Sequence, residues 1–272
     1  MSEERLEKLQ SSGGPAAPDD PAARQIAGLG PWFHNLHLPG GRQTAPDHPL
    51  GDFPAFKWAE LGRALPEDLS GWRVLDVGCN AGFYSFEAAR RGAEVVGIDV
   101  DPHYLEQARW ASGRYDLAGS VEFRRMGVYE LAGSDETFDL VLFLGVLYHL
   151  RYPLLALDLA AARTGRLLAL QTLTIPGDGA PRPPADMSID QREVMLREGW
   201  PKMAFIEHRL AGDETNWWVP NHSCVEAMIR SAGFAVVARP GHEMYVCERA
   251  VEVEYPELRA IEHLMGRKGG AA

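Results

Sequence analysis

One segment narrows the folds open to this chain more than any other. Val74-Leu75-Asp76-Val77-Gly78-Cys79-Asn80-Ala81-Gly82-Phe83 is a hydrophobic run that stops on a glycine turn and restarts as a helix. A strand that feeds a helix through so short a turn belongs to an open α/β sheet, and such sheets bind ligands at the carboxyl ends of their strands. Gly78 admits a ligand close to the backbone, and Gly82 lets the helix pack against the strand. Asn80 stands where a dinucleotide fingerprint has its middle glycine. That weakens a nicotinamide reading, because pyrophosphate needs bare N–H groups at the helix start.

After Gly71, short β-rich runs alternate with helical stretches, the pattern of βαβ units on a parallel sheet. It predicts strands over Arg73–Val77, Glu94–Asp99, Val121–Arg125, Leu140–Leu144, Leu167–Leu173, Ala235–Arg239 and Met244–Glu248. Helices are expected over Tyr84–Arg91, Pro102–Ser112, Pro153–Ala162 and Ser223–Ser231, and the last two strands form an antiparallel hairpin across Pro240-Gly241. Residues 1–28 read as a flexible tail whose first part is a short helix or frayed, 29–70 as an N-terminal cap with a helix over Phe53–Leu65, 71–250 as the main domain, and 251–272 as a C-terminal helix and tail. From about 174 to 220 the alternation stops. An insertion of that length in a compact domain is usually functional, and it reads as a lid. The fold class is therefore α/β: a seven-stranded, mostly parallel Rossmann-like sheet with a helical cap and an inserted lid.

Charge and cysteine usage limit the partners. The 272 residues carry 27 Lys and Arg against 38 Asp and Glu, a net charge of −11. Nonspecific nucleic-acid affinity comes from cations neutralising phosphates, so this balance disfavours a generic polyanion surface. Cys79, Cys224 and Cys247 are odd in number and widely spaced, forming neither a disulfide framework nor a metal-ligand pattern. No pair of histidines has helical zinc spacing, so no metal is expected. The N-terminus lacks a basic and then apolar leader, and the longest apolar run, Leu140 to Tyr148, is far short of the ~18 residues that span a bilayer. A cytoplasmic protein with no membrane contact is the expectation. The oligomeric state is not legible.

Four strand tips carry the chemistry. The first bears the glycine turn. The second ends Val96-Gly97-Ile98-Asp99, a carboxylate placed to accept two hydrogen bonds from a ribose diol. The third runs into Gly127-Val128-Tyr129, offering a backbone N–H and a flat wall to an adenine, and the fourth, Phe138 to Phe143, leads into Leu144-Gly145-Val146-Leu147-Tyr148-His149. In this order they resemble the class I S-adenosylmethionine-dependent methyltransferases, which implies S-adenosylmethionine as cofactor.

A closer resemblance follows. Gly145-Val146-Leu147-Tyr148-His149 with Pro153-Leu154 four residues on, Leu170-Gln171-Thr172-Leu173, Phe56-Lys57-Trp58 and Val219-Pro220 are similar to segments of the tRNA wobble-uridine carboxymethyltransferases, over about Gly30 to Cys247. Two departures matter. That family holds the extra carboxylate of a carboxylated cofactor with cations, and Leu29 and Glu243 stand here where a lysine and an arginine would be. Unmodified S-adenosylmethionine is therefore expected. The resemblance implies cofactor contacts for Tyr148 and Lys57, with core packing and a solvated helix face as their plain alternatives. His149 is placed either as a general base for an acceptor hydroxyl or as a backbone-bonded residue ahead of the Pro153 helix.

The assigned cofactor residues are thus Lys57, Asp76, Gly78, Cys79, Asn80, Gly82, Asp99, Val100, Asp101, Val128, Tyr129, Leu144 and Tyr148, with Tyr148 and His149 as catalytic candidates. Trp32, His34, Trp217, Trp218 and Asn221 are assigned to the acceptor, the tryptophans either stacking on it or pinning their segments to the domain. With this charge balance a small-molecule acceptor is preferred to tRNA, and O-methylation is the expected reaction. A tRNA wobble-uridine (carboxy)methyltransferase and a cofactor-binding regulator without turnover are the alternatives.

Overall fold

The structure is a computed structural model describing residues 20–177 and 182–254, with Leu258 and Ile261. The tail expected before residue 20, and most of the expected C-terminal helix, lie outside the described residues. The chain divides into two compact units, Met1–Val128 with Phe138–Leu142, and Tyr129–Thr137 with Phe143–Ala272.

In the first unit, α1 (Pro21–Gly28) opens on Asp20, whose Oδ1 accepts from Ala22 N at 3.0 Å. These eight residues are helical because Asp20 caps them and Pro21 fits the first turn. The cap helix α2 covers Ala55–Leu61, shorter than the expected Phe53–Leu65. Pro54 sits at its N-cap, and Gly62–Ala64 tighten into a 3-10 turn before extended Leu65 meets Pro66. Then come β1 (Arg73–Val77), α3 (Phe83–Arg90), β2 (Glu94–Asp99), α4 (Pro102–Ser112), β3 (Ser120–Arg125) and the start of β4 (Phe138–Leu144). Val74 pairs with Val95 and Val95 with Val121 in parallel register. Val74, Leu75, Val77, Val95 and Ile98 are all buried, as expected for strands covered on both faces.

The second unit holds the end of β4, then α5 (Pro153–Arg163), β5 (Thr164–Gln171), β6 (Met203–Phe205), β7 (Trp218–Pro220), α6 (His222–Ser231), β8 (Phe234–Gly241) and β9 (Met244–Arg249). The seven long strands form one sheet in the order β3-β2-β1-β4-β5-β9-β8, in which β9 runs antiparallel to both of its neighbours, β5 and β8. β5 departs from Leu167–Leu173. It begins directly where α5 stops, and it ends at Gln171 because its partner β9 begins opposite, at Met244.

The insertion contains elements that the sequence pattern missed. β6 and β7 pair as a small ribbon with Phe205 opposite Trp218, and a 3-10 segment covers Ile189–Leu196. Three-residue strands are too short for alternation to reveal. Among the described residues no helix is long and apolar enough to cross a membrane.

Candidate functional site

In the first unit the glycine turn is braced from β2. Gly78 N and Cys79 N both donate to Ile98 O, at 2.8 and 3.0 Å. Asn80 takes a left-handed φ of 49°, uncommon for a residue with a Cβ, and its N–H donates to Asp99 Oδ2 at 2.9 Å while its own Oδ1 accepts from Ala81 N at 2.7 Å. Asp99 Oδ1 accepts from Asp101 N at 2.9 Å, and Asp101 in turn caps α4 through His103 N. The Asp99 carboxylate is thus a clamp between two turns, with lone pairs left over. Burial pushes its pKa up, and the bonds from Asp101 and Asn80 oppose that. Gly82 has φ +87°, and a Cβ there would meet Phe123 at 2.8 Å and Phe86 at 2.9 Å, so only glycine lets α3 begin at this distance from β3.

Asp76, on β1, is buried and accepts from Ser85 Oγ at 2.6 Å. Burial pushes its carboxyl up to about 7, against the Ser85 bond. Cys79 is a buried thiol pushed up by burial, hence inert. Val100 is exposed and Val128 buried. Lys57 holds its ammonium 5.4 Å over the Phe53 ring. Phe53 stacks with His48 and meets Phe33 and His34, and His34 in turn contacts Phe83 and Tyr84 on the first turn of α3. Lys57 and His34 therefore belong to one aromatic cluster between the cap and α3.

Two acceptor assignments in this unit are corrected. Trp32 is spent on packing: its Nε1 donates to Ile26 O at 2.7 Å and its ring lies 5.6 Å from Trp110. His34 is sealed, and burial drives its pKa down to about 3, leaving a neutral ring within the cluster.

The second unit gathers the other candidates. Leu144 ends β4, and Gly145, at φ +77°, donates its N–H to Gln171 O. The chain then makes a 3-10 turn, Leu147–His149, that sets the Tyr148 and His149 rings 4.2 Å apart. Burial and the nearby Glu243 and Asp213 carboxylates push Tyr148 up to about 12, so it stays a neutral phenol. Glu243 is fixed by Thr174, whose N donates to Oε1 at 2.9 Å, and by Gln171 Nε2 at 3.3 Å. Tyr129 Oη accepts from Tyr152 N at 3.1 Å.

A hairpin of the insertion reaches His149. Leu210 and Asp213 pair across a tight turn at Ala211 and Gly212, which both have positive φ. Asp213 Oδ1 accepts from Thr215 N and Oγ1 at 2.8 and 2.7 Å, and Thr215 Oγ1 lies 2.8 Å from His149 Nδ1. Sequence reasoning missed this pair because 66 residues separate Thr215 from His149. The Gly-Asp-Glu-Thr run did carry the local turn signal.

Trp217 and Trp218 flank a stack. Arg151 lies 4.6 Å from the Trp217 ring and 5.4 Å from the Phe205 ring, and Phe205 stacks on Trp217 at 6.2 Å and meets Trp218 at 4.8 Å. Phe205 is 47% exposed and Tyr152 64%. Trp217 N also donates to Tyr148 O at 2.8 Å, fastening this stack to the Tyr148 turn. Asn221 is corrected from the acceptor set. It caps α6 through Cys224 N and clips the insertion by accepting from Lys202 N and donating to Trp200 O at 2.7 Å.

Residues 74–168 match the methyltransferase domain family. Curated relatives include the tRNA U34 carboxymethyltransferase of Pseudomonas putida, 34% identical over 189 residues covering 67% of this chain and 51% of that protein, and that of Pseudomonas paraeruginosa, 31% identical over 184 residues covering 66% and 49%. The chain spans about half the length of these relatives. Among solved structures, the N-terminal domain of EvdMO1 with S-adenosylhomocysteine bound is 24% identical with a TM-score of 0.56, covering 85% of this chain and 96% of that one, a likeness of fold. The names of the curated relatives overturn the expected preference for a small-molecule acceptor over tRNA. Net charge averages over a surface, whereas unpaired RNA bases are recognised by stacking on aromatic rings and guanidinium planes, so the charge balance does not by itself exclude an RNA acceptor.

Proposed function

We propose that the chain is a class I methyltransferase that uses S-adenosylmethionine to methylate a uridine oxygen in a single-stranded loop of tRNA, the wobble position by similarity to its relatives. The first unit fits the cofactor. Asp99 spends one bond of each carboxylate oxygen on the protein and keeps acceptor capacity for a ribose diol, while Gly78 and Gly82 keep the turn bare of side chains. S-Adenosylmethionine, when bound, supplies a methyl group made electrophilic by its sulfonium, so the protein's part is positioning and exclusion of water. Tyr148 and Glu243 support plain methyl transfer. A second carboxylate brought to Tyr148 would meet the fixed Glu243 carboxylate.

The observation that carries the RNA reading is the cluster of exposed Arg151 and Phe205 with half-buried Trp217 and Trp218, hydrogen-bonded to the Tyr148 turn. Base stacking on such a surface is worth about 1–3 kcal/mol per base. A tRNA substrate and three free cysteines agree with a cytoplasmic setting. The test incubates the purified chain with methyl-labelled S-adenosylmethionine and unfractionated tRNA, followed by digestion and mass spectrometry of nucleosides. Label should appear in one modified uridine, and Phe205→Ala should raise KM for tRNA by roughly tenfold, within that stacking range, at nearly constant kcat. Cofactor binding without label in tRNA would end the RNA reading and favour a regulator without turnover.

A further inference from the structure

The hydrogen bonds around His149 define which of its ring nitrogens carries the proton. Thr215 Oγ1 has one hydrogen to give and sits between two partners, Asp213 Oδ1 at 2.7 Å and His149 Nδ1 at 2.8 Å. Burial alone would raise the pKa of Asp213, but the two bonds from Thr215 outweigh it and hold the carboxyl below its usual range, so Asp213 only accepts. The hydroxyl hydrogen must then point at Asp213, and the Thr215 oxygen can only accept from His149 Nδ1–H. Asp213 Oδ2, 3.9 Å from Nδ1, adds attraction for a positive ring. Nε2 is left with its lone pair and makes no hydrogen bond among the described residues.

We propose that Thr215 and Asp213 are positioning residues that lock His149 as the Nδ1–H tautomer, so that Nε2 serves as general base for the acceptor's hydroxyl. This rests on the O–H acceptor of the proposed function. In the step, the acceptor's proton passes to His149 Nε2 as its oxygen lone pair forms the new O–C bond. The C–S electron pair returns to sulfur, which leaves as a neutral thioether, and the resulting imidazolium is compensated by Asp213.

The neighbours of the ring fit this role. Tyr148, its ring tilted against that of His149, is a neutral phenol in the working range and neither competes for the proton nor repels the cation. Glu243 acts on Tyr148 rather than on His149. Burial lowers the His149 pKa while Asp213 raises it, so the ring is neutral and able to accept at physiological pH. The hairpin that delivers Asp213 and Thr215 turns on Ala211 at φ 55°, a conformation costly for alanine and held here by reciprocal Leu210–Asp213 backbone bonds at 3.1 Å.

Two measurements on the full chain test this. Proton–nitrogen correlation spectra of histidine-labelled protein, assigned by the signal lost in His149→Gln, report the protonated nitrogen without any substrate. The expected result is Nδ1–H in the wild type, retained in Thr215→Ser and switched to Nε2–H in Thr215→Val. A wild-type Nε2–H ring, or a Thr215→Val ring unchanged from wild type, overturns the proposal whatever the acceptor is. The second measurement is methyl transfer to unfractionated tRNA. Thr215→Val should lower kcat by roughly tenfold or more with KM little changed, His149→Gln should lower it by about 100-fold or more, and Thr215→Ser should restore most of the rate. Asp213→Asn should move the acid limb of the kcat profile to lower pH, because the charge that favours protonated His149 is gone. An unmoved limb overturns the role of Asp213. Absence of any label with wild-type enzyme would count against the RNA reading alone, since the spectra decide the tautomer separately.

Discussion

Replacing Asp99 separates two jobs that its carboxylate does at once. Each of its oxygens already accepts a backbone N–H, from Asn80 at 2.9 Å and from Asp101 at 2.9 Å, and the first of these bonds holds Asn80 in a left-handed conformation. A bond to a charged acceptor is worth about 1.5–3 kcal/mol, and burial of the carboxylate subtracts from that sum. Asp99→Ala should therefore cost the free protein about 1–3 kcal/mol of stability through the loosened turn. It should cost the bound state a further ~3 kcal/mol, on the order of 100-fold in cofactor affinity, through two lost ribose bonds. Asp99→Asn keeps the shape but turns an NH2 group toward one of the two N–H donors, so it should destabilise about as much as alanine while retaining one acceptor for the ribose. Chemical denaturation of the free protein measures the first effect, and calorimetric titration with S-adenosylhomocysteine the second. Unchanged affinity in a folded Asp99→Ala protein would remove Asp99 from the ribose, and unchanged stability would refute its role as the brace of the turn.

Asp76 is buried with its carboxyl pushed up to about 7, well above its unfolded value, so the stability it allows is complete below pH ~4 and is lost as pH rises through ~7, by about 4 kcal/mol. Asp76→Asn should match the wild type near pH 4 and exceed its melting temperature at pH 8, and equal melting curves at pH 8 would show that the carboxyl is not held protonated. With S-adenosylmethionine and its carboxylated form supplied together, mass spectrometry after gel filtration should recover mainly the unmodified cofactor, since the fixed Glu243 opposes a second carboxylate beside Tyr148; recovery of the carboxylated form would return carboxymethyl transfer to first place. Hydrogen exchange in the insertion should slow when S-adenosylhomocysteine and tRNA are both bound, and identical exchange would mean that the segment is a fixed cover.

What was legible in the sequence is what local backbone chemistry decides. The strand, glycine turn and helix from Arg73 to Arg90 follow from a run of buried aliphatics and two positions that need positive φ, and neither depends on distant residues. The paired strands β8 and β9 were visible because Pro240-Gly241 separates two apolar runs, although β8 continues through Gly241 and the turn itself is His242-Glu243. Side-chain roles set by tertiary neighbours were not visible. Trp32 looked like an acceptor wall until Trp110 and the Ile26 carbonyl claimed its ring and its N–H. Asn221 is assigned to the acceptor by the sequence, yet a cap and a clip use its oxygen and its nitrogen. His149 was recognised, but the groups that fix its proton come from a hairpin 66 residues later.

The acceptor class shows the same limit in its electrostatic form. A net charge of −11 is a sum over the whole chain, and it governs long-range, salt-sensitive attraction to phosphates. It says little about a contact made by stacking, where one guanidinium held between rings contributes through its plane as well as its charge. Arg151 is such a group, set against Trp217 and Phe205 while Trp218 Nε1 donates to its carbonyl. Stacking accompanies phosphate contacts in such binders, so affinity for tRNA should still fall with salt, and the slope of log Kd against log salt counts the phosphates engaged; a slope of zero would mean that no phosphate is held. The enzyme's selectivity should then lie in an unpaired loop whose bases are free to leave the helix and stack.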